Sequence, residues 1–345
     1  VDVSTLGKIE IIGPDAGKFL DFLYTNMFST LKPGRVRYGL MLREDGHVMD
    51  DGTTACLADG HYVMTTTTAA AGQVMNHMEF VAQALRPDLD VAFTSVTEQW
   101  AQFSVAGPLA RDLINSVLDT PIDDTDFPFM QCGAVKVHGI DGRLFRISFS
   151  GEHAYEIAVP ATYGDALYRD LVARAEALGG GAYGMEALNV LRLEKGFITH
   201  AEIHGRVTSF DIGMQGMLSK KKDFIGKAAT TRPGLLEDTR QRLIGLKPVD
   251  PAGQITAGAH LFDSEAPATR VNDLGYVTSV GHSPTLGHAI ALGFLASGPD
   301  RIGHHIKMVD HVRGITTEVE VCDPVFFDPE GRRAKDTPEG GRARG

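Results

Sequence analysis

Cysteine is scarce in this chain: three residues in 345, Cys56, Cys132 and Cys322, stand far apart with no CxxC pair. That excludes a disulfide framework and a zinc knuckle. No apolar run approaches the roughly 18 to 20 residues that cross a bilayer, and the amino terminus lacks the basic, apolar and small-residue regions of a signal peptide. Positive charge is in deficit, with 33 Lys and Arg against 44 Asp and Glu, a formal charge of -11. Such a field repels phosphate backbones and anionic headgroups. Neither nucleic acid nor a membrane is therefore an expected partner, and a reducing, cytoplasmic setting is the expected location. An initiator Met is also lacking, and the alternating opening Val1-Asp2-Val3 reads as a fragment or processed product whose fold begins upstream. What is abundant is core-forming material: 43% of the residues are hydrophobic, enough for two or three domains at this length.

Val1 to Ile12 alternates apolar and polar residues, the period of a half-buried strand. Gly13-Pro14 breaks it, and Phe19, Leu20, Phe22 and Leu23 then recur at helical spacing. The grammar returns with Trp100 to Val105 as strand, Gly107-Pro108 as break and a helix from Leu109, which predicts a duplicated α+β module. Between the two units, Val36 to Leu42, Thr53 to Leu57 and Tyr62 to Thr67 read as strands and Ala69 to Leu85 as helix. In the second unit Ala134 to His138, Leu144 to Phe149 and Tyr155 to Val159 read as strands, and Tyr163 to Leu178 and Met185 to Lys195 as helices. After Lys227 six short strands separated by Gly, Pro and Asp predict an antiparallel barrel or sandwich. The expected domains are residues 1–95, 96–235 and 236–329, followed by a flexible tail at 330–345.

Gly179 to Gly184 matches GxGxxG, but a long helix precedes it where a dinucleotide fingerprint needs a strand, so it reads as a helix C-cap. His200, His204 and the pair His304-His305 lack the helical HExxH arrangement and have no Cys close by, so no metal site is expected. Lys220-Lys221-Lys222 reads as a solvated face or, alternatively, as a draw for a polyanionic ligand tail. In Gly46-His47-Val48-Met49-Asp50-Asp51-Gly52 two adjacent carboxylates stand between a turn and a Thr-rich strand; alternation sends one inward and leaves the other to solvent or to the turn. Glu156, between Tyr155 and Ile157, faces either a pocket or, on an edge strand, solvent.

In order along the chain stand strand, Gly-Pro and helix, then Gly46-xxx-Asp50-Asp51 and Ser150-Gly151-Glu152-xx-Tyr155-Glu156. Leu191-Arg192-Leu193-Glu194-Lys195, Lys222-Asp223-Phe224-Ile225-Gly226-Lys227 and Gly275-Tyr276-Val277-Thr278-Ser279 follow. Together these resemble the folate-binding aminomethyltransferase (glycine-cleavage T-protein) family over nearly the whole chain to about Pro329. Asp2 to Ile9, Arg37-Tyr38-Gly39-Leu40-Met41, Phe127-Pro128-Phe129-Met130 and Ser219 to Lys227 look most like its sarcosine oxidase branch, the C-terminal half of the alpha subunit.

The resemblance implies two folate-binding α/β subdomains, the first lacking its opening residues, and a C-terminal antiparallel β-barrel. It implies tetrahydrofolate as the cofactor and capture of the methylene from a demethylated N-methyl amine such as sarcosine, giving 5,10-methylene-tetrahydrofolate. It places the central acid on Asp51, the pterin-holding acid on Glu156, pocket aromatics on Phe149 and Tyr38, and Leu6 and Thr66 beside the cofactor. Thr66 stands where T-proteins have Asn, and Leu188 where they have a folate-contacting Arg. The implied partners are flavin-bearing oxidase subunits or the N-terminal half of the same subunit. The rival readings are a stand-alone aminomethyltransferase or O- or S-demethylase and a non-catalytic folate-binding module.

Overall fold

The structure, a computed structural model, describes residues 1–335. β1 (Gly7–Ile12) keeps its alternation, with Ile9 and Ile11 buried. At the break that follows, Gly13 has φ +145° and a Cβ there would lie 2.4 Å from the Asp90 carbonyl oxygen, so glycine is required. α1 (Ala16–Leu23) sinks Phe19, Leu20 and Leu23, each contributing about 1.5–3 kcal/mol of burial. β2 (Arg35–Leu42), β3 (Val48–Ala58), β4 (His61–Thr66), α2 (Ala71–Phe80) and β5 (Ala92–Ser95) complete the unit. The strands form one sheet in the order β2-β3-β4-β1-β5. Its outer face is covered by the two helices through Phe19, Tyr24, Phe28, Met64, Val74 and Met78.

The second unit repeats the plan with β6 (Trp100–Ala106), α3 (Ala110–Asn115), β7 (Cys132–Val137), β8 (Ile140–Phe145), β9 (Ala154–Pro160) and α4 (Gly164–Ala177). Its sheet runs β6-β9-β8-β7, and Phe103, Val105, Tyr155, Ile157, Leu167 and Leu171 fill the space beneath α3 and α4. The strand expected over Leu144 to Phe149 instead ends at Phe145. Beyond it Ser148 Oγ donates to the Glu152 carbonyl at 2.7 Å and Gly151 turns the chain at φ +79°. The Gly179 run caps α4, with Gly179 at φ +81° and the Gly180 N–H on the Ala175 carbonyl at 2.8 Å.

The inner faces of the two sheets meet through Val36 and Ala55 on one side and Cys132, Phe145, Ile147 and Ala158 on the other. The leading segment ties them together, since Val3 donates its N–H to the Gln102 carbonyl before the chain enters β1.

α5 (Met185–Glu194) and an irregular segment holding the short α6 (Pro233–Leu236) lead to β10 (Gln241–Pro248), β11 (His260–Asp263), β12 (Gly275–Ser283), β13 (His288–Ala296), β14 (His305–Asp310) and β15 (Ile315–Cys322). These close an antiparallel barrel in the order β10-β13-β12-β11-β14-β15. Leu246, Leu261, Val277, Leu295, Met308 and Val319 pack its interior. Arg192 and Glu194 clamp α5 to the barrel through Ser279 (2.6 Å) and Ser283 (2.5 Å). Of the expected tail, Arg332–Lys335 form a single helical turn, α7, and Arg333 pairs with Glu152 at 2.7 Å; residues 336–345 lie outside the described residues.

Candidate functional site

β3 begins five residues earlier than the expected Thr53, at Val48, and so takes Asp50 and Asp51 into the sheet. Its register against β2 pairs Leu40 with Asp51 and Met41 with Asp50. Asp51 therefore shares the inner face with Leu40 and Tyr38, while Asp50 points to the opposite face. Tyr38 Oη donates to Asp51 Oδ2 at 2.7 Å and lies 3.9 Å from the Met214 sulfur. Asp50 is 1% exposed, and its Oδ2 accepts the Thr67 N–H at 3.1 Å. The expected solvent-facing partner is thus absent: one acid is buried, the other half-buried.

Burial pushes Asp51 up to about 7, and the neighbouring Asp50 and Glu202 add to the rise against the Tyr38 hydrogen bond. Burial likewise raises Asp50 to about 6, with Thr67 opposing. Among the described residues neither carboxylate has an ion pair.

Glu156 lies in β9, between β6 and β8, so the edge-strand alternative fails. It points away from the Tyr155 and Ile157 core and is 5% exposed. Gln102, its diagonal neighbour on β6, donates Nε2 to Glu156 Oε2. Burial raises the Glu156 carboxyl, while Gln102 and the Lys8 ammonium hold it back. Lys8 is itself buried, with Nζ on the carbonyls of Ser4 (2.7 Å) and Leu6 (3.1 Å). Ser4 Oγ accepts the Gln102 N–H at 2.9 Å, so the Leu6 turn and the Glu156 strand form one hydrogen-bonded unit.

Thr66 is buried at the end of β4, its Oγ1 on the Thr67 carbonyl at 3.1 Å. It pairs with Gly7, where a Cβ would fall 2.1 Å from Thr66 Oγ1, so the Leu6–Lys8 turn can pass only with glycine there. The fold thus brings Tyr38 to Asp51, Leu6 to Thr66, and the Leu6 turn to Glu156. Phe149 stands apart, 38% exposed in the loop after β8, with its ring stacked on Phe197 at 6.1 Å. Leu188 is buried in α5. In the Lys220 run only Lys220 and Lys221 are exposed; Lys222 turns inward to the carbonyls of Asp21 and Tyr24, and burial lowers it to about 8. It is therefore withdrawn from any ligand tail.

Gln102, Lys8, Thr67 and Met214 were not singled out from the sequence. Gln102 alone carried a signal, as a polar residue in the apolar run Trp100 to Val105. Chemically, a carboxyl poised near 7 can take up or release a proton at neutral pH, and a buried carboxylate with few internal donors suits an N–H-rich ligand edge.

The profile of the GCVT N-terminal domain matches residues 1–222, and that of the glycine cleavage T-protein C-terminal barrel domain matches residues 241–328. Sarcosine oxidase subunit alpha of Rhizobium meliloti is 48% identical over 335 residues, 96% of this chain but 34% of that protein. The chain thus spans about a third of the length of such relatives. Aminomethyltransferase of Streptomyces coelicolor is 27% identical over 315 residues, 89% of this chain and 82% of that protein. In fold, the chain matches the glycine cleavage system aminomethyltransferase T from Bartonella henselae with a TM-score of 0.82 at 24% identity, over 94% of this chain and 85% of that one.

Proposed function

The chain belongs to the glycine-cleavage T-protein (GCVT) family, as an aminomethyltransferase-type domain related to sarcosine oxidase subunit alpha, and from that premise we propose that it binds tetrahydrofolate and captures the one-carbon unit of a demethylated N-methyl amine. Sarcosine or a close analogue is the proposed amine and 5,10-methylene-tetrahydrofolate the product. The observation that carries this reading is Glu156, a buried carboxylate without an ion pair among the described residues, held by one side-chain amide. Such an acceptor fits the row of N–H donors along a pterin. When bound, tetrahydrofolate supplies N5 and N10, the two amines that a methylene bridges.

The protein's own part is to bind, orient and manage a proton. Glu156 accepts hydrogen bonds from the pterin edge, with Gln102 fixing its rotamer. Leu6 and Thr66 line the approach, and Phe149 serves at the mouth. Asp51 takes the proton released on ring closure, and the Tyr38 hydroxyl keeps its carboxyl in register. The amine is oxidised elsewhere, on flavin-bearing subunits or on the preceding half of the same subunit.

Calorimetric titration of the chain with reduced tetrahydrofolate under anaerobic conditions, beside Glu156→Ala, tests the reading. Micromolar binding that the variant weakens at least about tenfold is expected, in line with a lost charged hydrogen bond. Equal binding by both removes Glu156 from the site, and no binding by either folded protein overturns the folate reading for this chain.

A further inference from the structure

Asp50 has no part in the reading above, yet it is one of the most enclosed acids of the chain. Its Oδ2 is satisfied by Thr67, whereas Oδ1 is buried without a hydrogen-bond partner. An unpartnered carboxylate oxygen in an interior is costly unless the group is protonated or put to use. A single peptide separates it from Asp51, its neighbour in β3.

The groups facing the pair are few. Asp50 meets the N–H and hydroxyl of Thr67 from the end of β4, and its charge is felt by the Tyr24 phenol from the α1–β2 connection. Asp51 accepts a hydrogen bond from the Tyr38 phenol of β2 and feels the charge of Glu202, from the segment after α5, which is itself paired with Arg192 at 3.3 Å. No Lys, Arg or His forms an ion pair with either acid among the described residues. Neighbouring acids that no cation pairs with raise each other's proton affinity, and Asp50 acts on Asp51 in that sense.

We propose that Asp50 and Asp51 titrate as one coupled pair, with Asp50 a positioning residue whose charge sets the proton affinity of Asp51. Asp51, on the face turned to the second sheet, exchanges the proton; Asp50, sealed beneath the sheet, only tunes it. Burial of both side chains, which places them near 6 and 7, fits such a pair. The use made of the proton rests on the folate reading, but the coupling does not.

Carbon-13 NMR of the chain labelled at Asp carboxyls, run from about pH 4.5 to about pH 8.5 to bracket both acids, tests it. Wild type, Asp50→Asn and Asp51→Asn are compared, each with and without tetrahydrofolate. In the wild type the Asp51 signal is expected to move in two steps, with midpoints shared by Asp50. Asp50→Asn is expected to leave one step, lowered by at least about half a pH unit, a threefold loss of proton affinity. A single wild-type step that Asp50→Asn does not move overturns the proposal, and the wild-type curve decides alone if the variant fails to fold. Coupled curves that tetrahydrofolate leaves untouched count against the folate reading and not the pair. Curves that it perturbs without coupling count against the pair and not the folate reading.

Discussion

Asp124 and Asp51 are both acids withdrawn from water, one beneath the second sheet and one between the two sheets. Around Asp124 stand Arg111 at 2.7 Å, Arg146 at 3.1 Å and the Tyr155 hydroxyl at 2.8 Å. Arg146 is 1% exposed and also holds the Phe127 carbonyl. Around Asp51 there is one hydroxyl, from Tyr38, and two further acids, Asp50 and Glu202. The first arrangement ties the loop before β7 to α3, to β9 and to the residue that follows β8. The second is placed to change its charge. A buried acid surrounded by cations is part of the scaffold, while one left without them is a candidate for chemistry.

The largest effect that would break this contrast lies on the scaffold side. Asp124→Ala leaves Arg146 buried without its partner, and loss of one member of such a network costs about 3–5 kcal/mol. Urea unfolding should show that loss, and a change below about 1 kcal/mol would mean that the cluster is no more structural than the Asp51 site. The reciprocal substitution, Asp51→Asn, should leave unfolding at neutral pH unchanged or improved, because it removes an uncompensated charge. In the proposed assembly with an amine-oxidising partner it should lower methylene capture on tetrahydrofolate by about 10²–10⁴-fold with amine oxidation unaffected. Capture at the wild-type rate would remove Asp51 from the chemistry.

What the sequence discloses follows how local each feature is. Gly13 and Gly107 could be read as strand-to-helix breaks because a positive φ before a helix is written in adjacent residues. The barrel strands and the cap at Gly179 are local in the same sense. β5 carries no periodic signal, three of its four residues being exposed, and the start of β3 is hidden because Asp-Asp-Gly is ordinary turn chemistry. The inward direction of Glu156 needed sheet order, since alternation alone does not tell a central strand from an edge. Gln102 and Lys8 reach the same spot from strands far apart in the chain, 54 residues in the case of Gln102 and Glu156. No spacing rule reports a meeting of that kind.

The smallest effect sharpens the contrast through pH. Asp51 is held near 7 in the folded chain and returns to about 3.9 when unfolded. Between these values the folded state keeps a proton that the unfolded chain has released, so stability falls as pH rises. Its contribution is complete below about pH 4 and gone above about pH 7. Between about pH 5 and 6 the wild type should therefore lose about 1.4 kcal/mol relative to Asp51→Asn. Urea midpoints for the two proteins at each pH measure that difference directly. The comparison must be made against Asp51→Asn, because Asp45, whose pairing with Arg43 and His47 holds it near 2, and other hydrogen-bonded acids stabilise the fold in the opposite direction as pH rises. A difference that stays flat with pH would mean that Asp51 is ionised throughout, and the distinction from Asp124 would then rest on hydrogen-bond geometry and not on charge.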